Sequence, residues 1–143
     1  VKGGGALIMA GGYLSFQGFE AKARFAGTAV EEVLPVTCYT HDDRAETPEG
    51  AVPVINDAAH PVLAGVPSGM PALLGYNRVQ LKSGATLIAS VNGDPLIASS
   101  QVGKGRTLVW TSDIGPHWCP EPFVKWEGFA PLMANMITWV AGK

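Results

Sequence analysis

A five-residue run with no polar side chain, Ala6-Leu7-Ile8-Met9-Ala10, stops abruptly at Gly11-Gly12. A strand with one face in water alternates apolar and polar residues, so an unbroken run fits a strand covered on both faces, as parallel strands under helices are. The expectation is a central strand of an α/β sheet. Two glycines at its end permit a sharp turn with close backbone approach. The turn Tyr13-Leu14-Ser15-Phe16-Gln17-Gly18 then sets polar tips at the carboxyl end of the strand, where open α/β sheets take their ligands.

Composition agrees with a buried framework. Of 143 residues 47% are hydrophobic and only 15% charged, against about 25% charged in an average chain, which points to one domain with an extensive core and excludes disorder. Ten Lys and Arg against twelve Asp and Glu give a net charge of −2, so no broad basic field exists for nucleic acid or anionic membrane. No stretch approaches the roughly 18 apolar residues of a membrane span, and no basic region followed by an apolar core and cleavage site opens the chain. The expected location is the cytoplasm. Cys38 and Cys119 lack CxxC spacing and read as free thiols of a reducing compartment. Val1-Lys2-Gly3-Gly4-Gly5 reads like the end of a helix, as in a chain that starts inside a domain.

Eighteen glycines and eleven prolines must occupy many tight turns between short elements. Thr28-Ala29-Val30-Glu31 has the form of a capping box and predicts a short helix to about Val33, ended by Leu34-Pro35-Val36. Ser83-Gly84, Asn92-Gly93 and Gly103-Lys104-Gly105 then separate β-rich runs, predicting an antiparallel meander with strands near Tyr76–Lys82, Ala85–Val91, Pro95–Val102 and Arg106–Thr111. Phe129, Leu132, Met133, Met136, Ile137 and Val140 fall on one helical face, with Pro131 in the first turn and Gly142 at the C-cap.

From Gly3 through Gly18 the sequence resembles a glutamine amidotransferase-like family of bacterial cytoplasmic proteins within the class I glutamine amidotransferase-like superfamily. The resemblance continues through residues 28–36 (TAVEEVLPV), Asp42-Asp43-Arg44, His60-Pro61, Leu74-Gly75-Tyr76-Asn77, Asp94-Pro95-Leu96, Gly103-Lys104-Gly105-Arg106 and the run from Thr111 to Trp118. It implies a flavodoxin-like three-layer α/β domain with a mixed sheet, of which residues 1–143 form a partial unit lacking the first βα units. It also implies a catalytic Cys at the strand-to-helix elbow, a His after a later strand and an acidic residue that orients it. By strand length the elbow position falls on Gly11, and by the downstream Gln it falls on Tyr13. Neither side chain forms an acyl-thioester.

His117 lies in the loop that resembles the superfamily's catalytic His, and an ordinary pKa near 6.5 suits it to general base work. His117 and Trp118 equally suit fastening that loop to the sheet. Asp113 either orients His117 or caps the loop as an Asx turn. Ser15 and Tyr13 are candidates to replace the thiol or donate to an oxyanion, and Gly11, Gly12, Tyr13 and Gln17 are the candidate ligand contacts. Cys119, two residues from His117, is an alternative nucleophile or an incidental thiol. Tyr76-Asn77-Arg78 reads as a ligand contact or a structural strand start. Asp42-Asp43-Arg44, with His41 and Glu46 beside it, reads as a solvated turn with an Asp–Arg pair. Metal binding there would need His60 as well, and no metal-ligand spacing is present.

The first expectation for function is therefore an amidotransferase-like domain without the elbow cysteine, not a glutaminase, that binds a small metabolite or a partner chain at the old crevice. The alternative is a hydrolase or lyase using His117 and Asp113 on a substrate held by the turn Tyr13–Gln17. No cofactor or metal is expected. Because a central strand needs neighbours on both sides, a homo-oligomer or association with the N-terminal half is expected as well.

Overall fold

The computed structural model describes residues 1–142. In chain order the elements are β1 (Ala6–Ala10), α1 (Ala29–Val33), β2 (Val36–Cys38), β3 (Arg44–Ala51), β4 (Val54–Ile55), β5 (Leu73–Asn77), β6 (Val79–Leu81), β7 (Thr86–Val91), β8 (Asp94–Val102), β9 (Gly105–Trp110), α2 (Glu121–Val124) and α3 (Phe129–Val140), with 3-10 turns at Phe19–Ala21 and Pro61–Leu63. Five strands form one mixed sheet in the order β1-β9-β8-β7-β4, and two antiparallel ribbons, β2–β6 and β3–β5, stand beside it. The chain is an α/β protein.

β1 pairs with β9 in parallel, Ala6 opposite Arg106 and Ala10 opposite Trp110. The two strands thus end level, and Gly11 and Thr111 leave the sheet side by side. Successive side chains point to opposite faces. Ile8, Ala10, Leu108 and Trp110 pack on Leu132, Met136 and Val140 of α3. Leu7, Met9 and Val109 pack on the other side with Phe16, Leu34, Val36 and Val79. Burial of this kind contributes about 25 cal/mol per Å² of apolar surface, which is why both faces of the apolar run are used.

Among the described residues β1 pairs with β9 on one side only, and its side chains are half-buried. Two expectations are corrected. The strand expected at Tyr76–Lys82 is two strands in different ribbons, β5 on β3 and β6 on β2, and Arg78 between them still donates from its N to Asp43 O at 2.7 Å in the β3–β5 register. Only the last three strands of the meander join the sheet. The stretch after Asp43, read as a turn, is the eight-residue strand β3 on β5. Its sequence RAETPEGA gave no alternating apolar signal to read.

At the capping box, Thr28 Oγ1 accepts from Glu31 N at 3.3 Å as expected. The Glu31 carboxylate goes instead to Gly27 N and Cys38 N, at 3.3 and 2.8 Å. It therefore links α1 to β2 and leaves the reciprocal half of the box unmade.

Candidate active site at the carboxyl end of β1

The turn after β1 is built by close approach. A Cβ on Gly11 would lie 2.1 Å from Thr111 O, and Gly11 N donates to Trp110 O and Ser112 O at 2.7 and 3.0 Å. Gly11 is thus packed against the end of β9. Gly12 has φ +143° and sits where its Cβ would be 3.2 Å from Asp113 Oδ1 and 3.7 Å from Ser15 Oγ. Glycine here permits the backbone conformation and leaves open the small space that these two oxygens face.

Two carboxylates and one amide hold the loop that follows. Asn77 Oδ1 accepts from Gly12 N at 2.8 Å, and its Nδ2 donates to Asp43 Oδ1 at 2.8 Å and to Ser15 O at 3.4 Å. Asp43 also accepts from Gln17 N at 2.7 Å and Gly18 N at 2.9 Å. Both side chains are sealed from solvent, Asp43 at 1% and Asn77 at 0% exposure. Burial pushes the Asp43 carboxyl up from its ordinary value, against the hydrogen bonds from Asn77, Gln17 and Gly18 that pull it down. Asp42 accepts from Glu20 N and takes Arg44 in a fork, Nε to Oδ1 at 3.0 Å and Nη2 to Oδ2 at 2.8 Å. That fork holds the Asp42 carboxyl well below the usual range. The loop so held is strained. Phe16, Glu20, Ala21 and Arg24 all have φ between 49° and 60°, a left-handed geometry that costs a non-glycine residue on the order of 1 kcal/mol.

Above the loop lies a partly open polar cluster. Arg44 stacks over the rings of Tyr13 and Phe19, at 4.7 and 4.4 Å. Tyr13 Oη donates to Glu46 Oε1 at 2.8 Å, and Trp118 Nε1 donates to Glu46 Oε2 at 3.0 Å. The bond to Glu46 raises the Tyr13 phenol above its ordinary 10.0. The Tyr13 ring lies 6.0 Å from that of His117 and 5.4 Å from that of Trp118. Asp113 Oδ2 accepts from the backbone N of Trp118 at 2.9 Å, the loop-capping geometry. No hydrogen bond joins it to the His117 ring, which is exposed.

Of the candidate residues, Gly12, Tyr13, Ser15, Asp113 and His117 come together at this end of the sheet. Gln17 does not face the crevice, since it is buried and its Oε1 accepts from Ala26 N at 3.4 Å within the loop. Cys119 is fully buried, and burial pushes its thiol up to about 12, which removes it as a nucleophile. The four residues of the metal reading separate. Asp42 and Asp43 take different partners, His41 stacks on Tyr39, and His60 lies against Trp139 of α3 with Nε2 3.3 Å from Ser99 Oγ. Among the described residues no group of three or more His, Cys, Asp and Glu is placed to hold a metal ion.

The sequence names Asp43 and Glu46 in a solvated turn and Asn77 as a ligand contact or strand start; that Asp43 pairs with Asn77 and that Glu46 receives Tyr13 and Trp118 is not legible there. Their signal is chemical: polar residues at the ends of two strands that pair in register, Arg44 opposite Asn77 and Glu46 opposite Gly75.

The family model described as "Putative glutamine amidotransferase" matches residues 1–142. No curated protein matches the chain. Among solved structures it is similar to the cytoplasmic protein STM3548 from Salmonella typhimurium, with 39% identity and a TM-score of 0.94 over 98% of this chain and 56% of that one. It is also similar to the cytoplasmic protein STM1381 from Salmonella typhimurium LT2, with 40% identity and a TM-score of 0.94 over 98% of this chain and 57% of that one. The chain thus spans a little over half the length of these two structures. With a model matched along nearly its whole length, this chain belongs to the glutamine amidotransferase-like family.

Proposed function

We propose that the chain binds a small polar metabolite in the crevice at the carboxyl end of β1 and does not hydrolyse glutamine. One observation carries this reading. The turn after β1 is Gly11-Gly12-Tyr13 with no thiol, both cysteines are buried elsewhere, Asp113 Oδ1 and Ser15 Oγ face the space that Gly12 leaves, and Tyr13 beside it bonds Glu46 and lies 6.0 Å from the His117 ring. Hydrogen-bonding groups without an activated nucleophile suit binding better than acyl transfer. Purified protein incubated with glutamine is expected to release no ammonia above background, and a panel of small polar metabolites should contain one that raises the melting temperature in wild type and not in Glu46→Ala. Glutamine turnover abolished by His117→Ala overturns the reading.

The same reading takes the fold as flavodoxin-like and three-layered and the location as cytoplasmic, supported by the family match and by the two cytoplasmic relatives. It also includes association. The free side of β1 is bordered by an apolar groove of about 400 Å³ between Ile8, Ala10, Ile114, Met133 and Ile137, the kind of edge that further βα units or a second copy would cover. Light scattering on the purified 143-residue chain is expected to give an oligomer. A folded, soluble monomer overturns it.

A further inference from the structure

We infer that Asp43 and Asn77 are positioning residues whose buried pairing holds residues 12–26 in their strained shape, so that the crevice is a preformed site only while that pair is intact. The inference rests on the reading of the crevice as a binding site but concerns its construction. Among the described residues, the hydrogen bonds that tie the backbone of residues 12–20 to the rest of the chain all end on Asn77, Asp43 or Asp42. The other backbone bonds of this stretch stay inside the loop, such as Phe19 N to Tyr13 O at 2.7 Å and Phe25 N to Phe16 O at 3.0 Å. These internal bonds would move with the loop and cannot fix it to the sheet.

The strain makes the clamp necessary. Four of the five non-glycine residues with positive φ lie between Phe16 and Arg24, and such conformations persist where surrounding structure over-determines them. Asp43 supplies this with one carboxylate that gathers Gln17 N, Gly18 N and Asn77 Nδ2. Among the described residues no cation is bonded to it, and Asp42 and Cys38 are the titratable neighbours that bear on it. Removal of either partner leaves buried donors without an acceptor, a cost the loop escapes by moving toward water. Tyr13 and Ser15 ride on that loop, so the space beside Gly12 and the Tyr13 bond to Glu46 go with it. The β3–β5 ribbon, with Asp43 just before its first residue and Asn77 at its end, is thereby the scaffold of the site.

Hydrogen exchange read by mass spectrometry tests this on the whole chain without any ligand, so the outcome is independent of whether the crevice binds a metabolite. In Asp43→Asn and in Asn77→Ala, peptides from residues 12–26 are expected to exchange about tenfold faster or more, while peptides of β7 to β9 stay within about twofold of wild type. The Trp118 indole N–H resonance, which reports the bond to Glu46 beside the Tyr13 ring, should shift toward that of a free indole, with those of Trp126 and Trp139 unmoved. Should Asp43→Asn not fold, Asn77→Ala is read alone. Wild-type exchange in the loop, or an equal acceleration in β7 to β9, overturns the inference.

Discussion

Trp118 Nε1 donates to Glu46 Oε2 at 3.0 Å while Tyr13 Oη donates to the other oxygen of the same carboxylate. One exposed side chain on β3 thus joins the turn after β1 to the loop after β9. Because that carboxylate is the first cause of the raised Tyr13 phenol, Glu46→Gln is expected to bring Tyr13 down toward 10.0. Phenolate absorbance followed against pH, with Tyr13→Phe to assign the transition among the three tyrosines, measures it. An unmoved transition in Glu46→Gln shows that the bond is not populated in solution.

His60 caps the 3-10 turn Pro61–Leu63 by accepting from Val62 N at Nδ1, at 3.2 Å. Protonation of Nδ1 destroys that cap, and burial already sets the imidazole below its ordinary 6.5. A lowered folded-state value means that the stability His60 contributes is full above pH 6.5 and is lost as pH falls through the folded value. Thermal melting between pH 8 and pH 5 should therefore fall more steeply in wild type than in His60→Asn, which retains an acceptor that does not titrate. Identical slopes would refute it.

Gly11→Ala is expected to destabilise the protein by about 2 kcal/mol or more, because the added methyl meets the Thr111 carbonyl, a backbone atom that cannot swing aside. Urea unfolding measures the difference. A loss below about 0.5 kcal/mol would mean that β1 and β9 separate there at little cost.

Both thiols should be inert in the native state. Burial, first, and then nearby carboxylates push Cys38 and Cys119 up to about 12, so the reactive thiolate is scarce at pH 8. A thiol reagent should label neither residue on the folded chain within minutes and both in denaturant. Rapid labelling of Cys119 in native protein would show that the loop around it opens.

Sequence alone determined what depends on neighbours along the chain. The apolar run at β1, the glycine turns that separate β7, β8 and β9, the Thr28 cap and the 3.6-residue period of α3 each carry their instruction within a few residues, and each stands where that instruction places it. The functional end of the molecule depends on partners far apart in sequence. Asp43 reads as a solvated turn residue until β5 brings Asn77 against it, 34 positions away, and burial turns a surface charge into a clamp. Glu46 lies in a strand with no apolar alternation, because β3 is held by pairing with β5 and by polar contacts such as that from Trp118, 72 positions away. The number of strands that flank β1 is a matter of the same kind. An apolar strand carries no local mark of how many neighbours it has, and hydrogen-bond partners across a sheet are chosen only when the whole chain packs.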